Sequence, residues 1–314
     1  MKKKKSLLKK SLYLVVLIFI GLNLVAFFHA YKFTHFDSNS IKKTENPKEL
    51  TIIGKTKTIL FGVNNPKPVN KAFPTQHFET IKLKSDIEIE CWSIKANNSK
   101  GTVILFHGYG GEKSSLLDKS NIFLNLGYNT LLVDFMGSGS SQGNQTTIGF
   151  YESKQVKESY NYLKKKGEKN IYLFGTSMGS VAILKAIDQF KLKPEGIIIE
   201  CPFGSMYKTV CARFKTMNVP TFPMAGLLVF WGGIQNGFWA FGHNPSEYAK
   251  STSCPTMLMY GEQDEKVSRQ ETDNIFENLK GKKQLKLYSK AGHENYLIKY
   301  KGEWTNDVKD FLKK

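Results

Sequence analysis

A serine hydroxyl set between glycines at a strand-to-helix junction has the makings of a nucleophile. The apolar run Ile171–Phe174 leads straight into Gly175-Thr176-Ser177-Met178-Gly179, and Ser180–Phe190 has the pattern of a helix. This strand–turn–helix setting is what a G-x-S-x-G nucleophile elbow requires. The requirement is steric. A serine on a sharp turn holds a costly backbone conformation and is crowded by adjacent elements, so its neighbours must be small. Gly175 and Gly179 supply that room. The same five residues would also serve as a glycine-rich turn without chemistry, so the reading depends on partners for Ser177.

A serine hydroxyl is a weak nucleophile until a base takes its proton, and the base needs an acid to orient it. Asp264 lies in Tyr260-Gly261-Glu262-Gln263-Asp264-Glu265-Lys266-Val267, just past one predicted strand, and His293 lies in Ala291-Gly292-His293-Glu294-Asn295, just past the last. The chain order Ser177, Asp264, His293, each on a loop after a strand, suits a Ser–His–Asp triad. Glu262 and Glu265 compete for the acid's role. Asp264 has the better register, because Gly261-x-x-Asp264 leaves the turn before it, and Glu200, at the end of the preceding strand, is the second choice. Glu200 reads equally as a helix-cap or pocket carboxylate. The other five of the six histidines lack such a setting. Acyl transfer also needs donors for the developing oxyanion. The N–H of Met178 is one, and the N–H of Tyr109 in the loop His107-Gly108-Tyr109-Gly110-Gly111 is assigned as the second. His107 is read as a brace for that loop rather than as a base.

Periodicity gives the elements that must hold these groups. His77–Lys84 and Ile87–Ala96 alternate as two strands joined at Ser85-Asp86. Strands at Thr102–Phe106, Thr130–Val133, Ile171–Phe174, Gly196–Glu200, Thr256–Tyr260 and Gln284–Tyr288 then alternate with helices at Ser115–Asn125, Gly149–Lys166, Ser180–Phe190, Arg269–Leu279 and Tyr296–Leu312. Short apolar strands alternating with helices predict an α/β fold: a mostly parallel central sheet with helices on both faces and an antiparallel leading edge. The rhythm breaks at Cys201–Cys254, which holds the apolar run Phe222–Trp231 and two of the four tryptophans. Gly232, Gly233, Gln235 and Asn236 interrupt that run, and a second membrane span here would strand the last βα unit on the wrong side. The segment is expected to be an apolar lid, about 202–252, offering a greasy pocket or a membrane-facing surface. Helices that only pack on the core are the alternative.

The residues His107-Gly108-Tyr109-Gly110-Gly111, Asp134-Phe135-Met136-Gly137-Ser138-Gly139-Ser140-Ser141-Gln142-Gly143, Gly175–Gly179, Asp264 and His293 carry a resemblance over about residues 76–314. The chain resembles the α/β-hydrolase superfamily, in its serine-hydrolase branch of membrane-anchored esterases, thioesterases and serine-aminopeptidase-like proteins. The Asp134 segment is similar to the family's D-x-x-G-x-G-x-S-x-G turn, which braces the sheet and the oxyanion loop. The resemblance implies a Ser–His–Asp hydrolase that needs no cofactor and no metal. It does not imply a substrate, because the fold hosts many. A small-molecule or lipid ester or thioester is expected. A peptidase releasing N-terminal residues is the runner-up, and it would need a lid carboxylate such as Glu247 for the substrate amine. A non-catalytic binding protein on the same scaffold is a third reading.

The net charge of +18 does not point to nucleic acid. Residues 1–74 carry +11 of it, and no basic stripe with interleaved aromatics runs through the body. Six lysines lie in the first ten residues, before a stretch, Leu12–Phe28, that is apolar apart from Asn23. At about 1.5 Å per residue it just spans a hydrocarbon core. An uncleaved anchor over residues 1–30 is expected. A cleaved signal peptide, giving a secreted protein, is the alternative, but Phe28 and Leu24 occupy the −3 positions of the candidate cleavage sites. Lys32, Lys42 and Lys43 are the nearby lysines on the far side, so the lysine bias puts the N-terminus in the cytoplasm and the catalytic domain across the membrane. Residues 31–75 read as a linker, with Glu49–Phe61 either a short amphipathic helix near the membrane or a spacer. Cys91, Cys201, Cys211 and Cys254 have neither metal spacing nor disulfide-scaffold density. Free buried thiols are expected, with a Cys201–Cys211 bridge left open.

Overall fold

The strands form where β-branched and aromatic residues cluster, and eight of them join one sheet in the computed structural model, which describes residues 2–38, 44 and 51–313. Lys42 and Lys43, and Glu49 and Leu50 at the head of the mixed segment, lie outside the described residues. The strands are β1 (Phe78–Lys84), β2 (Glu88–Ile94), β3 (Thr102–Phe106), β4 (Asn129–Val133), β5 (Ile171–Thr176), β6 (Gly196–Glu200), β7 (Thr256–Gly261) and β8 (Lys283–Tyr288). Their order is β1-β2-β4-β3-β5-β6-β7-β8. The β1–β2 and β2–β4 pairs are antiparallel, and every other pair is parallel. Strands β3, β4 and β6 are buried along their whole length, which is why they read as unbroken apolar runs rather than alternating ones.

Alternate residues of each strand enter opposite layers. Ile104, Phe106, Leu173, Ile199 and Leu258 pack with Val156 and Tyr160 of α4 (Glu152–Lys165) and with Val181 and Leu184 of α5 (Met178–Phe190). Val103, Leu105, Phe174, Ile198 and Met257 pack with Phe123 of α3 (Leu117–Asn125) and with Trp304, Val308 and Phe311 of α11 (Lys301–Leu312). The α/β reading is correct, including the antiparallel leading edge.

Among the boundaries that differ from expectation, two have a clear cause in the structure. The helix expected from Ser115 begins as a tight turn at Lys113, whose N–H donates to Asp134 Oδ1 at 2.7 Å. The helix expected over Tyr296–Leu312 is two, α10 (Tyr296–Lys299) and α11, broken at Tyr300. Tyr300 is pinned from outside the helix: its hydroxyl accepts from the Lys290 N–H at 2.7 Å, and its ring lies 5.0 Å from that of Tyr288.

The segment expected as a lid carries α6 (Met206–Thr216), α7 (Met224–Gln235) and α8 (Pro245–Tyr248), and α9 (Arg269–Asn278) follows β7 with a Ser268–Glu271 capping box. The N-terminal helix α1 spans Lys2–Thr34, four residues beyond the expected end of the anchor at 30. It is, among the described residues, the one helix long and apolar enough to cross a membrane. Its last turns lie along α7. Ala26, Ala30 and nearby Phe36 are buried, the Trp231 indole donates to Asn23 Oδ1 at 3.1 Å, and Gln235 donates to the Phe27 carbonyl at 2.8 Å. Helix α2 (Ile52–Phe61) is capped by the Thr51 hydroxyl. The chain after it lies against the domain rather than hanging free: Lys67 donates to the Ser141 and Gly143 carbonyls, and Asn70 donates to Asp134 at 2.9 Å.

Candidate active site

Ser177 sits where β5 gives way to α5, with φ 49° and ψ −108°, a conformation unfavourable for any residue with a Cβ. Its N–H donates to the Glu200 carbonyl at 2.8 Å, which ties the turn to β6. The glycines around it have no alternative. A Cβ on Gly175 would lie 2.6 Å from the backbone of Gly179 and Ser180, and one on Gly179 would lie 2.3 Å from the Phe106 carbonyl oxygen.

His293, on the loop after β8, reaches Ser177 from one side and Asp264 from the other. The His293 Nε2 to Ser177 Oγ distance is 3.0 Å, and Nδ1 to Asp264 Oδ2 is 2.7 Å. A carboxylate only accepts, so Nδ1 carries the proton and Nε2 is left to accept from the serine. The Asp264 side chain has no exposed surface, and its other oxygen accepts the N–H groups of Lys266 at 2.8 Å and Val267 at 2.9 Å. The carboxylate is thereby fixed in orientation. Burial works against the imidazolium of His293, but the Cys201 sulfur and the Asp264 carboxylate outweigh it, so the imidazole is held above its ordinary value.

The sequence predicts free buried thiols, leaves a Cys201–Cys211 bridge open and gives Cys201 no place beside the triad. Cys201 and Cys211 are both free, and Cys201 is buried at the end of β6 with φ 39°. Its sulfur, Asp264 and His293 present ligand atoms within 4.8 Å of one another. The signal that finds Cys201 is sheet order, because β6 lies between the strands that carry Ser177 and Asp264.

The competing acids lie elsewhere. Glu262 is exposed and faces Arg269 at 3.7 Å, and Glu265 is exposed. Glu200, the second choice, is corrected: its side chain enters the opposite layer, where it accepts from the Trp304 indole at 2.7 Å and faces Lys119 at 3.9 Å. Alternation along β6 sends it there. His107 is buried, its Nε2 accepts from the Phe135 N–H at 3.1 Å, and its Nδ1 meets the Gly108 carbonyl at 2.8 Å. Burial holds its imidazole below the ordinary value, so it stays neutral and braces the loop.

That loop brings Gly108 against the elbow, where an added Cβ would lie 3.5 Å from that of Ser177. The backbone N–H groups of Tyr109 and Met178 have no acceptor among the described residues. The Tyr109 side chain turns away. Its hydroxyl donates to the Phe33 carbonyl at 2.7 Å and accepts from Asn65 at 3.2 Å, and its ring stacks on Phe33 at 4.7 Å. The end of α1 therefore touches the residue assigned as the second oxyanion donor. Behind the loop, Asp134 accepts from the N–H of Lys113 at 2.7 Å and of Ser140 at 2.9 Å, and it pairs with the Lys113 ammonium. Gly139 is obligatory, since a Cβ there would overlap the Asp134 carboxylate.

Residues 97–229 match the family model described as serine aminopeptidase, S33. The uncharacterized protein YqkD of Bacillus subtilis is 24% identical over 229 residues, covering 72% of this chain and 75% of that protein. The lysophosphatidylserine lipase ABHD12 of Danio rerio is 23% identical over 237 residues, 71% of this chain, and the match spans 61% of that relative's length. Among solved structures, the Pyrococcus furiosus esterase Pf2001 superposes with a TM-score of 0.67 at 24% identity, covering 80% of this chain and 97% of that one. A likeness at this identity shows the fold: the chain has the α/β-hydrolase fold, and its residues 97–229 are similar to the serine aminopeptidase family model.

Proposed function

We propose that this chain is a membrane-anchored serine hydrolase that cleaves the carboxylic ester or thioester of an acyl lipid. The observation that carries the reading is the unbroken hydrogen-bonded line from Asp264 through His293 to Ser177, at 2.7 and 3.0 Å. Ser177 Oγ attacks the carbonyl carbon as its proton passes to His293 Nε2. The N–H groups of Met178 and Tyr109 hold the oxyanion of the tetrahedral intermediate. The intermediate collapses, the carbon–oxygen or carbon–sulfur bond to the leaving group breaks, and His293 returns the proton to that group. Water, activated by the same imidazole, then releases the acyl group as a carboxylic acid and restores Ser177. Asp264 keeps the imidazole in the required tautomer throughout. The apolar lid and the relative named as a lysophosphatidylserine lipase favour a single-chain lipid ester over a short polar one.

The test uses the full-length chain in detergent, wild type and Ser177→Ala, on p-nitrophenyl esters from acetate to palmitate. Expected are turnover that rises with chain length, a loss of about 10⁴-fold in the variant, and fluorophosphonate labelling of wild type alone. Labelling that survives in Ser177→Ala would remove Ser177 as the nucleophile. Acetate turned over as well as palmitate would remove the lipid substrate.

The family-model description favours a second reading, a serine aminopeptidase. It needs a carboxylate beside the site for the substrate's amine. Glu247 is exposed and pairs with Lys250 at 2.7 Å, which counts against it in that role. Release of p-nitroaniline from amino-acyl anilides, with no ester turnover, would reverse the preference.

A further inference from the structure

The free part of α1 is too short to cross a bilayer alone. Counted from Leu12, where the apolar run begins after Lys9 and Lys10, to Leu22, ahead of the hydrogen-bonded contact with α7, it holds about 11 residues, or about 16 Å, against a hydrocarbon core of about 30 Å. From Asn23 onward α1 is docked on the lid: Asn23 bonds Trp231, the Phe27 ring meets the Trp231 ring at 5.3 Å, and Gln235 donates to the Phe27 carbonyl. For α1 to span the core, the stretch Asn23–Phe28 must lie within the apolar layer. The helix packed on that stretch must lie there too.

We infer that α7 and the apolar rim that follows it are immersed in the leaflet on the catalytic domain's side, with bilayer lipid as their partner. The inference rests on the membrane-anchoring part of the reading above and extends it to the lid. Three further observations fit this partner. Thr216 through Ser246 contains no Asp, Glu, Lys or Arg. The outer face of the same segment is exposed and apolar, with Phe222 86%, Ile234 57% and Trp239 64% accessible. The polar interruption of the span, Asn23, has both ends of its amide bonded, to the Trp231 indole at 3.1 Å and to the Phe19 carbonyl at 2.9 Å. Hydrocarbon demands such pairing of a polar side chain in a transmembrane helix. The short helix α2 also packs on α1: Gly62 at its end lies against His29 and Lys32, and Ile52 and Ile53 are exposed. Phe33, one turn beyond the docked stretch, stacks on Tyr109. On this inference a lipid ester reaches the candidate site from the plane of the leaflet.

The test reconstitutes the full-length chain into phosphatidylcholine vesicles with brominated acyl chains and reads tryptophan emission. Of the four tryptophans, Trp92 and Trp304 are buried in the domain, and Trp231 and Trp239 are on the lid. Expected are quenching of wild type relative to unbrominated vesicles, a smaller quenching in the exposed-site variant Trp239→Phe, and none in Trp231→Phe/Trp239→Phe. Flotation of the vesicles is measured on the same samples. Protein that fails to float overturns the anchor and the immersed lid together. Protein that floats with unquenched emission, or whose quenching persists in the double variant, overturns lid immersion alone. Neither readout depends on hydrolysis.

Discussion

Cys201 gives His293 a neighbour that a bare Ser–His–Asp line lacks. For the proposed mechanism the imidazole must be neutral to take the Ser177 proton. Burial pushes its pKa down, while the Cys201 sulfur and the Asp264 carboxylate push it further up, and the net position is above 6.5. The sign follows: kcat/KM rises with pH through the His293 pKa and is lost as pH falls below it, with the midpoint of the acid limb above 6.5. Cys201→Ala removes one of the two groups that favour the imidazolium, so its acid limb moves to lower pH while Asp264 still orients the ring. A pH profile of kcat/KM on one soluble ester, in both proteins, checks this. Superimposed acid limbs would mean that the sulfur does not set the imidazole's basicity. The spacing of Ser177, Asp264 and His293 was legible in the sequence because each follows a strand. Cys201 was not, because its approach depends on β6 being the neighbour of both β5 and β7.

At the scale of elements, the two layers of the sheet divide the work. The layer of α3 and α11 supports the histidine loop through partly buried polar contacts. Lys119 of α3 donates to Asn295 at 2.5 Å, Asn295 donates to Asp118 at 2.6 Å, and Asn295 is two residues from His293. Glu200 is buried in the same layer, its carboxyl held above the usual range by desolvation, which the Lys119 charge and the Trp304 indole only partly offset. Trp304→Phe keeps most of the packing but deletes that indole donor at 2.7 Å. It is expected to cost about 1–3 kcal/mol, the penalty for an acceptor left buried without its partner. The midpoint of urea denaturation, at unchanged slope, reads this directly. A variant as stable as wild type would show that Glu200 finds another donor. The alternation that decides this face was legible: Ile197 and Ile199 enter one layer, Ile198 and Glu200 the other. The break at Tyr300 was not, because Tyr296–Leu312 keeps a helical period throughout and the interruption is imposed from Lys290.

At the scale of the whole molecule, the docking of α1 on α7 joins residues 208 apart in sequence, with no periodic signature in either segment to announce it. Composition marks both as apolar, which is why each was legible as an apolar segment and their contact was not. That contact makes a specific energetic claim. If the Asn23 amide and the Trp231 indole meet within the apolar layer, each is the other's available partner, and removing either leaves a polar group facing hydrocarbon. Asn23→Leu alone strands the indole N–H, and Trp231→Phe alone strands the amide oxygen. The double variant strands neither. Interhelical hydrogen bonds in membranes are worth about 0.6 kcal/mol on average and about 1.7 at most, so the cycle is expected to show a coupling of that order, the double variant being less destabilised than the two singles together. Unfolding of the full-length chain in lipid bicelles, followed for wild type and the three variants, measures it. Strict additivity would mean that the two residues do not share a bond, and would separate the membrane helix from the lid. Non-additivity would tie α1 to α7, so that on the proposed reading where the chain is held in the bilayer decides which esters can reach Ser177.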